Sequence, residues 1–72
     1  MTTVLGKNIR YYRKLLGYTQ TQLADALGGG GKSLVSNYEN GYSEPDVSTL
    51  VKLADIFDVS LDELVGRGRS PY

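Results

Sequence analysis

Ala26-Leu27-Gly28-Gly29-Gly30-Gly31-Lys32-Ser33 is the one stretch whose residue types and spacing suggest a reaction. It satisfies a relaxed nucleotide-binding pattern, a small residue followed, after four intervening positions, by Gly-Lys-Ser. A working phosphate loop follows a β-strand, opens a long helix and needs an acidic magnesium ligand on a neighbouring strand. Here the first position is alanine, and 72 residues cannot hold the parallel sheet, so no bound nucleotide is expected despite Gly31-Lys32-Ser33. What survives is weaker: consecutive backbone N–H groups beside Lys32 suit a single anion such as a sulfate or phosphate. With no histidine, no cysteine and no acid pair placed for hydrolysis, the chain is not expected to be an enzyme, and neither a metal nor another cofactor is expected.

The elements that must position these residues belong to one small domain. A chain this short buries about 60% of its extended surface, and with no disulfide or metal to help, packing carries the fold. Hydrophobic residues make up 40% and charged residues 22%, too apolar for a disordered chain. No apolar run exceeds two residues, so neither a membrane span nor the apolar stretch of a signal peptide is present, and a cytoplasmic location is expected.

The zero net charge hides a bipolar distribution. Lys7, Arg10, Arg13, Lys14 and Lys32 face only Asp25 within residues 1–38. Residues 39–66 carry Glu39, Glu44, Asp46, Asp55, Asp58, Asp62 and Glu63 against Lys52, and Arg67 and Arg69 follow. A basic first half beside an acidic second half suits a phosphate-facing surface backed by a solvated one.

No segment alternates with a period of two over four or more apolar positions, so the chain is expected to be all-α. Leu5, Ile9, Tyr12 and Leu16 form one amphipathic stripe over about Val4 to Leu16, with Gly17 as a left-handed stop. Thr19 and Gln22 make a capping box for a short second helix, Gln20 to Leu27, stopped by Gly28. A third, Lys32 to Asn40, turns Val35 and Tyr38 inward and ends at Gly41. Asp46 caps a fourth, with Val47, Leu50, Ala54 and Phe57 facing the core and Asp58 taking the left-handed terminal position. Ser60 and Glu63 box a fifth carrying Leu61, Leu64 and Val65. Residues 1–66 are thus read as the folded domain and 67–72 as a disordered tail.

Gln20-Thr21-Gln22-Leu23-Ala24, Ala26-Leu27-Gly28 and Val35-Ser36-Asn37-Tyr38-Glu39-Asn40-Gly41 resemble, in order, the helix-turn-helix family of phage Cro and cI repressors, the XRE family. Glu44-Pro45-Asp46, Leu50-Val51-Lys52-Leu53-Ala54 and Val59-Ser60-Leu61-Asp62-Glu63-Leu64 are similar to the family's fourth and fifth helices. The resemblance, over about Leu5 to Gly66, implies a five-helix, lambda-repressor-like DNA-binding domain whose third helix lies in the major groove while the second braces it across the backbone.

Carried over by position, the resemblance places Lys32, Ser33, Leu34, Ser36 and Asn37 toward the bases. Their chemistry agrees: Lys32 suits guanine O6 and N7 or a phosphate, Asn37 the paired bonds of adenine, and Leu34 a thymine methyl. Ser33 and Ser36 also fit small solvated helix residues. Thr19, Gln20, Gly31, Asn40, Tyr42 and Ser43 fall at or beside positions near phosphates, although the capping box alone accounts for Thr19, and Tyr42 and Ser43 are equally plain loop residues. Arg13 and Glu39 match a structural salt bridge beneath the motif.

The glycine run departs from the family. Six residues separate Gly28 from Val35 where five are usual, and glycine replaces both the apolar residue after the turn and the residue that caps the third helix. The implied function is a sequence-specific transcriptional regulator, a repressor acting as a homodimer on a two-fold operator in double-stranded DNA. Two other readings stay open: an antitoxin-like protein-interaction module, and an engineered loop variant with impaired DNA binding.

Overall fold

A computed structural model describes residues 3–67, and five α-helices account for the regular structure within them: α1 Val4–Leu15, α2 Gln20–Ala26, α3 Gly31–Asn40, α4 Val47–Phe57 and α5 Leu61–Val65. No strand occurs among the described residues, so the all-α, five-helix expectation is met. The tail 67–72 lies outside them except for Arg67, whose N–H donates to the Asp62 carbonyl at 2.8 Å.

Short-range chemistry fixes most boundaries. Thr3 caps α1 by accepting from the Gly6 N–H at 2.9 Å. Thr19–Gln22 and Ser60–Glu63 form reciprocal capping boxes, and Asp46 accepts from the Thr49 N–H at 2.9 Å, satisfying donors that a helix start leaves unpaired. α1 closes with Gly17 left-handed and the Tyr18 N–H on the Arg13 carbonyl at 3.0 Å. Asp58 ends α4 at φ 57° and ψ 47°. The start of α3 is the exception: its N-cap, Gly30, offers no side-chain bond.

The core joins Ile9 and Tyr12 of α1, Leu23, Ala24 and Leu27 of α2 and its end, Val35 and Tyr38 of α3, Leu53, Ala54 and Phe57 of α4, and Leu64 of α5. The sequence stripes were too wide in two places. Val47 is 75% exposed and Leu16 50% exposed, since Val47 opens α4 at the edge of its buried arc and Leu16 lies beyond the last turn of α1. Leu53, absent from the expected set, is fully buried.

α3 packs against α2 and α1, and α5 against α1 and α4. Gly6 permits the crossing of α1 and α3: a Cβ there would fall 2.6 Å from the Glu39 carbonyl oxygen and 2.7 Å from that of Tyr38. Asn8, fully buried, donates from Nδ2 to the carbonyls of Leu64 at 3.0 Å and Glu63 at 3.3 Å, tying α1 to the end of α5.

Candidate nucleic-acid interface

α3 divides its residues by arc. Val35 and Tyr38 face the core, while Lys32, Ser33, Asn37 and Asn40 are exposed and Ser36 is half-buried. At 100° per residue, Lys32, Ser33, Ser36, Asn37 and Asn40 share one side of the helix. Asn40 donates from Nδ2 to Ser36 Oγ at 3.2 Å, leaving the serine hydroxyl partly engaged. Leu34 behaves differently from its neighbours. It is half-buried, packs on the core cluster and folds back over the turn, so that a Cβ on Gly30 would lie 2.9 Å from its Cδ2. Its methyl surface is therefore divided between the turn and solvent.

Two buried anchors hold this arc in place. Tyr38 is the first, buried on the core side of α3; burial, with Asp46 nearby, pushes its phenol pKa up. Thr49, through its side chain and N–H, holds the Asp46 carboxyl below its usual range.

The second anchor is ionic. Arg13 donates from Nε to Glu39 Oε2 at 2.6 Å and from Nη2 to Glu39 Oε1 at 3.2 Å, a bidentate pair. Its Nη1 donates to the Tyr18 carbonyl at 2.9 Å, and Gln20 adds a bond from Nε2 to Glu39 Oε1 at 3.3 Å. With Glu39 5% exposed and Arg13 9%, the pair sits beneath the exposed arc and draws α1, the start of α2 and the end of α3 together.

The remaining candidates lie around these helices. Thr19 is exposed, its hydroxyl accepting from the Gln22 N–H at 3.0 Å. Gln20 is half-buried; Gly31, the exposed first residue of α3, has a positive φ of 69°. Ser43 is exposed and Tyr42 is 76% exposed, in the segment between α3 and α4. Gly31-Lys32-Ser33 follows a helix, not a strand. Among the described residues, no group of His, Cys, Asp or Glu could hold a metal ion. Gly6, Asn8 and the Gln20–Glu39 bond went unnoticed in the sequence; a glycine inside a helical stretch and an amide inside an apolar stripe were the only signals for the first two.

The helix-turn-helix family profile matches residues 9–64. The chain is 44% identical over 63 residues to the HTH-type transcriptional regulator ImmR of Bacillus subtilis, covering 88% of this chain and 49% of that protein. It is 46% identical over 57 residues to the cryptic phage CTXphi transcriptional repressor RstR of Vibrio cholerae, covering 76% and 48%. The chain thus spans about half the length of these curated relatives. The crystal structure of the P22 c2 repressor with a synthetic operator superposes with a TM-score of 0.81 at 29% identity, covering 92% of this chain and 98% of that one.

Proposed function

The chain belongs to the Cro/cI-type helix-turn-helix family, and from that premise we propose that it is a sequence-specific, DNA-binding transcriptional regulator that acts as a repressor. The observation that carries this reading is the exposed polar arc of α3, held from behind by the buried Arg13–Glu39 pair. In this role α3 enters the major groove, where Lys32, Ser33, Ser36 and Asn37 meet base edges and Leu34 offers its outer methyl surface. Thr19, Gly31, Asn40, Tyr42 and Ser43 track the phosphates, joined by the backbone N–H groups that open α2.

The partner is double-stranded DNA, bound by two copies of the chain on a two-fold site. One α3 reads too few base pairs for a genomic address, and two must lie about 34 Å apart, one turn of DNA. Of the apolar residues on α5, Leu61 is exposed and Val65 half-buried, while Leu64 is fully buried and offers no contact surface; Leu61, with the exposed Val47 and Val51 of α4, is available to such a dimer. The location proposed is the cytoplasm; no helix among the described residues is long and apolar enough to cross a membrane. The chemistry is binding, with no catalysis and no nucleotide.

Selection of binding sites from random DNA tests the reading, and paired half-sites one helical turn apart are expected. Failure to enrich any half-site would favour a protein-interaction role. Sedimentation on the selected site should find two copies per duplex; a single copy on a full site would contradict the dimer.

A further inference from the structure

α2 and α3 are joined at one end by a turn that closes α2 through the Gly28 and Gly29 N–H groups, on the carbonyls of Asp25 at 3.1 Å and Ala24 at 2.9 Å, but brings almost no side-chain contact of its own. Gly28, Gly29, Gly30 and Gly31 have φ of 106°, 114°, 106° and 69°, the left-handed side that glycine enters without penalty. At Gly28, Gly29 and Gly31 nothing lies within 4 Å of where a side chain would begin, and Leu34 over Gly30 is the turn's one close side-chain neighbour at these positions. Leu23, Ala24 and Leu27 of α2 share one core with Val35 and Tyr38 of α3, and that packing fixes the crossing of the two helices to within a spread of about 15–20°, which a directional contact narrows.

The other ends of the two helices carry a directional contact. Gln20 is the first residue of α2 and Glu39 lies in the last turn of α3, and the Gln20 Nε2 donates to Glu39 Oε1 at 3.3 Å. Glu39 is itself fixed by both forks of Arg13, and Arg13 by the Tyr18 carbonyl just before α2. An amide suits this place: it donates to a carboxylate that the guanidinium already neutralises, without adding a charge to a buried pair.

We propose that Gln20 is a positioning residue, the pin that holds the start of α2 to the end of α3 and so sets the angle at which α3 is presented across a permissive glycine turn. Its consequence for DNA rests on the regulator reading above. The proposal separates Gln20 from a phosphate contact made by its side chain, because the two roles leave different traces in salt. A lost phosphate contact lowers the salt slope of binding by about 1, whereas a lost pin weakens binding with the slope intact.

The test compares the parent chain with Gln20→Ala. A second background has one glycine of Gly29 to Gly31 deleted and another replaced by valine. Two readouts are needed: titration of the DNA site selected by the parent, across a salt series, and NMR residual dipolar couplings of the free, folded chains, which report the α2–α3 angle. Expected for Gln20→Ala is a loss of affinity of about three- to tenfold, the range for ordering lost at one contact. The salt slope should stay unchanged, the affinity loss should shrink in the shortened turn, and the couplings should show α3 reoriented. A slope lower by about 1, an equal loss in both backgrounds, or unchanged couplings would each overturn the pin. Should the parent select no DNA, the regulator reading fails, and the couplings alone decide whether Gln20 sets the angle.

Discussion

Glu39 and Lys32 sit one below and one on the same helical arc, and their substitutions should fail in different ways. Removing Glu39 strands the Arg13 guanidinium, whose side chain is only 11% exposed, and breaking a well-buried pair costs about 3–5 kcal/mol, less where water can enter. Glu44 is exposed, and substitutions of that kind stay within about 0.5 kcal/mol. Thermal melts of Glu39→Ala and Glu44→Ala should therefore separate widely, and equal melting temperatures would show that the pair does not support the fold. Lys32→Ala should leave the melt unchanged and weaken DNA binding. A base contact would cost about 1–3 kcal/mol and relax specificity at one position, while a phosphate contact would lower the salt slope by about 1; titrations showing neither would remove Lys32 from the interface. The sequence exposed these two residues unequally. Lys32 could be placed by chemistry and position within a helix, but Glu39 pairs across 26 residues, and only the family resemblance suggested a partner so distant. Asn8, whose amide answers carbonyls 55 and 56 residues away, had no such guide.

Helix boundaries were the most legible features because their determinants are local. Thr19–Gln22, Ser60–Glu63, Asp46 and Asp58 act within a few residues of themselves, so type and spacing suffice. Which apolar residues are buried depends on the neighbours each helix meets, and that is why Val47 and Leu16 were misplaced. The turn between α2 and α3 shows the opposite case, an element whose chemistry is missing. Glycines gain the most freedom on unfolding, and α3 begins with no side-chain cap. A chain with one of Gly29 to Gly31 deleted and another changed to valine should melt higher, by roughly 4–8 °C for each kcal/mol gained, and bind DNA more tightly because less ordering remains for the complex. Calorimetry on the two chains checks the first outcome; a restored turn that melts no higher would mean that the four left-handed glycines are accommodated without loss.

At the scale of the whole molecule, the tyrosines set an alkaline limit. Burial raises the pKa of Tyr12 and Tyr38 above the ordinary 10.0. A phenol whose pKa is higher folded than unfolded binds its proton more tightly in the native state, so its contribution is complete below about pH 10 and fades as pH rises through the folded value. Stability measured by denaturant titration should therefore fall above pH 10, and Tyr38→Phe should make that fall shallower; an unaltered slope would exclude Tyr38 as a source. The meeting of α1 and α5 has a different kind of consequence. A Cβ on Gly66 would lie within contact of the Val4 side chain, so the first and last helices touch and the two ends of the folded unit are neighbours. Chain connectivity and spatial arrangement are separable in such a molecule: a short link from the end of α5 to the start of α1, with the backbone opened at Gly29, makes a circular permutant in which every helix keeps its neighbours. That permutant should fold to the same helix content by circular dichroism, and it would begin with α3 and finish with α2, leaving the two helices of the motif held together by side chains alone.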